Sequence, residues 1–136
     1  MVKLLHAAPI FVYAPMMGYV LLAIVAAIYA ARRRSLPSWF WSLTLLLLAV
    51  VVLDAAAGAL LYLSGEQPRR ALHLLYGVLV LGTGLIQYWL RPGGFLRRAS
   101  GQALTRDQVL TIALIALTQA ALIMRAWMTG AGVGVR

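Results

Sequence analysis

Two histidines are the side chains in this sequence best suited to bind a metal. His6 precedes the first long apolar segment, and His73 lies in the third, directly after Arg69 and Arg70. The chain has no cysteine, which excludes disulfides, thiolate metal sites and iron–sulfur clusters. Two histidines are too few for a closed zinc site, which needs four ligands. Either they act together as axial ligands of one metal, or each is an interfacial side chain without a ligand role.

Two further ionisable residues interrupt apolar segments: Asp54 in "VVLDAAAGALLY" and Arg125 in "LIMRAWM". A charge inside the hydrocarbon core is expensive unless it is paired or faces the interior of a bundle. With a helical rise of about 1.5 Å per residue, both residues reach a similar height in the membrane. We therefore predict an intramembrane ion pair between Asp54 and Arg125. The alternatives are that Arg125 extends to the interface and that Asp54 relays protons or couples to a ligand.

The composition identifies the chain as a membrane protein. Of its 136 residues, 63% are hydrophobic and the mean hydropathy is +0.90, whereas soluble domains are about 45–50% apolar. A helix needs about 20 apolar residues to cross a bilayer. We predict an all-α membrane protein in which residues 1–136 form one domain of four transmembrane helices. The predicted spans are about 8–31, 39–63, 71–90 and 109–130, and the first is longer than the apolar core of a signal peptide, so we expect it to be retained.

Basic residues beside the spans predict the orientation, because cytoplasmic loops are rich in Lys and Arg. Seven arginines lie on one side: Arg32, Arg33, Arg34, Arg91, Arg97, Arg98 and Arg106. Four basic residues lie on the other: Lys3, Arg69, Arg70 and Arg136. We expect the first side to be cytoplasmic, with both termini outside, in a multi-pass protein of a bacterial inner membrane. The net charge of +9 thus belongs to span ends, and without a basic stripe interleaved with aromatics we expect no nucleic-acid partner.

Two local patterns agree with these span ends. Thr105, followed by Asp107 and Gln108, predicts a capped entry to the fourth span. Aromatic residues near the predicted cytoplasmic ends are typical of an interfacial belt: Tyr29, Trp39, Trp41, Tyr88 and Trp89.

Short connections between the spans predict an up-down-up-down four-helix bundle, in which the first and third helices are diagonal. Both of these helices begin on the outer side, so His6 and His73 are expected at the same outer level. Axes of diagonal helices are roughly 12–14 Å apart, because neighbours are separated by about 8–10 Å. This gap suits a flat macrocycle with one imidazole on each face, and histidine commonly binds haem iron. We therefore predict a bis-histidine haem near the outer face.

Residues around the two histidines fit such a pocket. Gly77, one turn after His73, would leave room for a porphyrin beside the helix, as would Gly84 further along the same face. Tyr13 and Tyr76 could line the pocket or donate hydrogen bonds to it. At the outer rim, Arg69 and Arg70 would be cationic partners for the propionates.

This plan resembles the small membrane-bound b-type cytochromes, in which a four-helix bundle holds haem between histidines on two spans. The resemblance is carried by "LLHAAP" at the first span and "RRALHLLYG" at the third. It implies non-covalent haem b and electron transfer. Covalent attachment is excluded because the chain has no C-x-x-C-H motif. Many of these cytochromes have four histidines for two haems, whereas this chain has enough for one bis-histidine site.

Three functions are compatible with these observations. The first is an electron carrier between a quinone pool, or another membrane redox protein, and an acceptor at the outer face. The second is a cofactor-free accessory subunit of a larger respiratory or photosynthetic complex, and the third is a small transporter that uses Asp54. In each case the lipid bilayer is a partner, and a homo- or hetero-oligomer is possible. The chain has no Ser/His/Asp set, phosphate loop or carboxylate pair, which favours a carrier or subunit over a stand-alone enzyme.

Overall fold

The computed structural model describes residues 8–65, 71–100 and 104–131, and within these ranges it is helical and has no β-strand. Four long helices are apolar and long enough to cross a membrane, which confirms the predicted all-α, four-span fold. In chain order the helices are α1 (Pro9–Ala31), α2 (Ser38–Leu63), α3 (Leu72–Trp89), the short α4 (Phe95–Ser100) and α5 (Arg106–Ala131).

The long helices form a ring in which each packs against two others. The most extensive packing is between α1 and α5, followed by α3 with α5, and then by α2 with α3 and with α1. Within the described ranges, the backbones of α1 and α3 do not approach each other closely, and neither do those of α2 and α5. These two pairs are therefore the diagonals, as the up-down-up-down connectivity predicts. We call the end where α1 and α3 begin the histidine end, and the opposite end the arginine end.

Local sequence signals explain where α1 and α5 begin. Pro9 occupies the first turn of α1, where its missing N–H costs nothing. Before α5, the backbone N–H of Thr105 donates to Gln108 Oε1 at 2.9 Å, and the Gln108 N–H donates to Thr105 Oγ1 at 3.3 Å. This reciprocal capping box satisfies two N–H groups that would otherwise lack partners. It confirms the predicted cap at Thr105 and starts α5 at Arg106, three residues before the predicted span.

The connection between α3 and α5 contains a short helix that the sequence does not predict. The chain turns at Gly93, whose φ of +73° favours glycine, and a Cβ on Gly94 would collide with the Trp89 carbonyl oxygen. After this turn the Arg98 N–H donates to the Gly94 carbonyl at 2.9 Å, within the first turn of α4. The Phe95 ring then packs edge-on against Trp89, with centroids 6.2 Å apart. This contact holds α4 against the end of α3.

The core is unevenly distributed along the bundle. The buried side chains of α1 extend from Val12 to Ala30 at helical spacing along one face. In contrast, the fully buried side chains of α2 end at Val51, and those of α3 start at Val80. Within the described residues, the last twelve positions of α2 and the first eight of α3 therefore have no fully buried side chain. The histidine end of these two helices is the least closely packed part of the bundle.

Candidate functional site

His73 is the second residue of α3 and packs against α5. Its Nδ1 atom lies 2.8 Å from the carbonyl oxygen of Ala126. A carbonyl oxygen can only accept, so Nδ1 must carry the proton, and in the neutral imidazole the lone pair is then on Nε2. Metal-binding histidines commonly have this arrangement, in which a hydrogen bond from one ring nitrogen fixes the tautomer and the ring orientation. The structure thus places His73 in the first turn of α3, closer to the start of the helix than the sequence predicts.

Gly130 forms part of the surface against which the His73 ring packs. A Cβ atom at this position would lie 2.8 Å from both Cε1 and Nδ1 of the ring. Gly130 is four residues after Ala126, so both face the same side of α5. The absence of a side chain at 130 is therefore what lets the imidazole approach the α5 backbone. Gly130 is not among the residues predicted from the sequence, although its four-residue spacing from Ala126 is visible once the partner helix is known.

Tyr13 reaches the same part of α5 from the opposite side of the bundle. Its ring lies 5.8 Å from that of Trp127, centroid to centroid, at a tilt of 55°. The side chain of Thr129 also donates to the Ala126 carbonyl, at 2.9 Å, so this oxygen accepts from two side chains. Residues of α5 from Ala126 to Gly130 thus link His73 of α3 to Tyr13 of α1. The prediction that Tyr13 and His73 line one pocket stays a prediction.

The space beside α3 differs between its two ends. A Cβ on Gly77 would meet no atom within 4 Å, so there is open space one turn beyond His73, next to the half-buried Tyr76. Gly84 is different, because a Cβ there would lie 2.8 Å from Leu48 Cδ1. The expectation that Gly84 leaves room for a porphyrin is therefore wrong. Its role is close helix packing, for which small residues in membrane helices are commonly used.

Three of the predicted site residues, His6, Arg69 and Arg70, lie outside the described residues. Their positions relative to His73 stay predictions, as does the bis-histidine pair. Within the described ranges, no three His, Cys, Asp or Glu side chains lie close enough to hold a metal ion together.

Asp54 and Arg125 lie on the second diagonal. Asp54 is half-buried in α2 and Arg125 is exposed on α5. Among the described residues the backbones of these two helices do not approach each other closely. An exposed arginine near a helix end matches the alternative in which the guanidinium extends to the interface. The ion pair between Asp54 and Arg125 stays a prediction.

A second set of polar residues lies in the interior of the bundle. Four polar side chains are fully buried there, one from each long helix: Tyr19, Thr44, Gln87 and Gln119. The Gln119 Nε2 atom donates to the Val80 carbonyl of α3 at 2.8 Å, which is the interhelical bonding expected for a glutamine in a span. Thr44 Oγ1 bonds to its own helix, at the Phe40 carbonyl. The glutamines stand out in the sequence, whereas Tyr19 does not, because tyrosine is also common in interfacial belts.

The aromatic belt at the arginine end is only partly as predicted. Trp39 and Trp89 are exposed, as belt residues should be, but Trp41 is 7% exposed and packs edge-on against Phe40 in the core. Since residues 39 and 41 are about 200° apart around a helix, they face opposite sides of α2. The guanidinium of Arg91 lies 3.8 Å above the Tyr88 ring centroid, a cation–π contact near the predicted membrane surface.

No protein-family model matches this chain, and no curated protein or solved structure matches it either.

Proposed function

We propose that this protein binds haem b at the histidine end of the bundle and transfers electrons, with His73 as one axial ligand. The observation that most directly supports this proposal is the 2.8 Å hydrogen bond between His73 Nδ1 and the Ala126 carbonyl. It orients the imidazole and selects the tautomer that carries the lone pair on Nε2. The same bond makes the ring a stronger electron donor towards a metal. His6 is the proposed second ligand.

The packing at the histidine end is compatible with a flat, apolar group beside α3. Gly77 has open space next to it, and the adjacent ends of α2 and α3 bury no side chain completely in the described residues. Tyr76 is half-buried beside this space. An apolar macrocycle would fill it with contacts that the described residues do not supply, and burial of apolar surface contributes roughly 25 cal/mol per Å².

The chain's own residues would then perform two tasks. Ala126 and Gly130 hold the His73 ring against α5, which restricts its rotation. Arg69 and Arg70 are proposed to bind the propionates by charge-assisted hydrogen bonds. When bound, haem would supply one-electron chemistry at iron, whose potential depends on the axial ligands and on the surrounding polarity. A quinone or another membrane redox protein is the proposed electron donor.

The proposed orientation in the membrane follows from the distribution of basic residues. The four spans make the chain a multi-pass membrane protein, and the arginine end is proposed to face the cytoplasm of a bacterium, with the histidine end outside. A haem there would exchange electrons with acceptors on the outer face.

Visible absorption spectroscopy of the detergent-purified protein tests this function. We expect the spectrum of six-coordinate b-type haem, with distinct oxidised and reduced bands. His73→Ala should abolish haem retention. His73→Gln is the matched control for structure, because its amide can still donate to the Ala126 carbonyl. It should keep the thermal stability of the protein while losing the haem spectrum. His6→Ala should leave a weaker, five-coordinate or partly occupied site.

A steric variant separates haem binding from the fold. Gly77→Leu fills the open space beside α3 without meeting protein atoms near its Cβ, and Gly82→Leu is its control, since a Cβ there also has no neighbour within 4 Å. We expect the first variant to lose haem and the second to keep it. If the wild-type protein stays colourless after haem supplementation, the proposal fails and the cofactor-free accessory subunit becomes the favoured function.

A further inference from the structure

We propose that the middle of the bundle binds ordered water at a site formed by Tyr19, Gln87 and Gln119, one side chain each from α1, α3 and α5. All three side chains are 0% exposed. Gln87 lies about four turns from His73 along α3, and the site is built from different residues. The proposal is therefore independent of haem binding.

Gly84 lies close to two of the three side chains. A Cβ on this residue would lie 3.1 Å from Gln119 Nε2 and 3.7 Å from the Tyr19 hydroxyl oxygen. Gln87 follows Gly84 by three residues, so both lie on the same face of α3. Side chains of a helix lean towards its N-terminus and cover the preceding turn. This lean would carry the amide of Gln87 back over Gly84, towards the other two side chains.

The polar atoms at this point are incompletely bonded. Gln119 Nε2 donates to the Val80 carbonyl at 2.8 Å. However, Gln119 Oε1, the Tyr19 hydroxyl and both amide atoms of Gln87 have no hydrogen-bond partner in the part of the chain that the structure describes. The Tyr19 hydroxyl faces Gln119 without the geometry of a hydrogen bond. A buried polar group without a partner is unfavourable, and inside a bilayer bulk water cannot reach it.

The chemistry of these atoms identifies the ligand. The Gln87 amide nitrogen and the Tyr19 hydroxyl can donate, whereas Gln87 Oε1 and Gln119 Oε1 can accept. The ligand must therefore both donate and accept, and because the three side chains are uncharged it should be neutral. It must also be small, because Leu48 packs closely at Gly84. Water meets each requirement, and buried waters typically make about three hydrogen bonds to groups of this kind.

Nuclear magnetic resonance of the full chain in lipid nanodiscs tests the proposal. With ¹⁵N-labelled glutamine and leucine, we expect magnetisation transfer from water to the side-chain amides of Gln87 and Gln119. Gln108, at the start of α5 outside the apolar core, is the positive control. The backbone amide of the lipid-facing Leu114 is the negative control. A wild-type protein in which neither buried amide shows transfer from water would overturn the proposal.

Magnetisation could also reach the glutamine amides from the Tyr19 hydroxyl proton, without any bound water, and this route must be excluded. Tyr19→Phe removes that proton and leaves the two glutamines to hold the water. The proposal expects the water signal at Gln87 to persist in this variant. Its disappearance while the fold is retained would mean that the hydroxyl, not bound water, is the source, and would overturn the proposal.

The sign of a stability change provides a second readout. If no water binds to the buried Gln87 amide, Gln87→Leu removes a polar group that lacks hydrogen-bond partners, and the Tm should stay the same or rise. If water bridges it to the other side chains, the substitution breaks the network and the Tm should fall by about 3 °C or more. The control is Thr118→Val, an equally apolar change on an exposed position of α5. We expect the fall for Gln87→Leu and none for the control, and an unchanged or higher Tm for Gln87→Leu would contradict bound water.

Discussion

Adding one methyl group at Gly84 should strain the centre of the bundle. The new Cβ of Gly84→Ala would lie 2.8 Å from Leu48 Cδ1 and 3.1 Å from Gln119 Nε2. Carbon atoms in contact are normally about 3.5–4.0 Å apart, so Leu48 would have to move by at least about 0.7 Å. Movement of Gln119 would in addition disturb its hydrogen bond to Val80. Overpacking of this kind costs about 1–3 kcal/mol of stability.

Gly82→Ala is the matched control for the effect of alanine itself. Gly82 is on the same helix, two residues away, and a Cβ there meets no atom within 4 Å. Alanine stabilises a helix interior by about 1 kcal/mol relative to glycine. Both variants share this gain, so the difference between them isolates the packing cost at Gly84. We expect Gly84→Ala to be less stable than Gly82→Ala by about 1–3 kcal/mol.

Thermal unfolding in detergent, followed by circular dichroism, measures this difference. For a chain of this size each kcal/mol corresponds to about 3–5 °C in Tm, so the two variants should be separated by about 3–15 °C. Equal Tm values would refute the close packing of α2, α3 and α5 around Gly84. A Tm for Gly84→Ala above that of the control would contradict it more strongly.

Three further predictions concern other parts of the molecule. Gly130→Ala places a methyl group 2.8 Å from two atoms of the neighbouring imidazole; we expect it to displace the ring, which the imidazole ¹⁵N chemical shifts measure, and unchanged shifts would contradict the contact. The predicted ion pair makes the effects of Asp54→Asn and Arg125→Gln on stability non-additive: each single variant leaves a charge without its partner, so the double variant should be more stable than the sum of the two single changes predicts, and additivity within about 0.5 kcal/mol would refute the pair. The chain has no native cysteine, so single cysteines can be introduced at the exposed positions Ser35 and Ser64, at opposite ends of α2. In intact cells, a membrane-impermeant thiol reagent should label the cysteine at position 64 and not the one at position 35. The reverse labelling pattern would invert the topology.

Much of the fold is determined by the sequence itself. Apolar segments of membrane-spanning length, interrupted by "RRRSLPS", "SGEQP" and "RPGGF", define four spans because a backbone in hydrocarbon must satisfy its hydrogen bonds within a helix. Short connections then make successive helices antiparallel neighbours. The capping box at Thr105 is also readable from the sequence, since both of its hydrogen bonds are made within four residues.

Contacts between residues far apart in the chain were decided by the tertiary structure alone. His73 is recognisable in the sequence as a candidate ligand, but its partner Ala126 is 53 residues away and offers only a backbone carbonyl, which no side-chain pattern reveals. Likewise, Gly77 and Gly84 occupy the same face of α3, yet one borders open space and the other touches Leu48 and Gln119. Spacing along a helix determines which residues share a face. Only the packing of the other helices determines what that face meets, because side-chain contacts depend on where each neighbouring helix lies and how it is rotated.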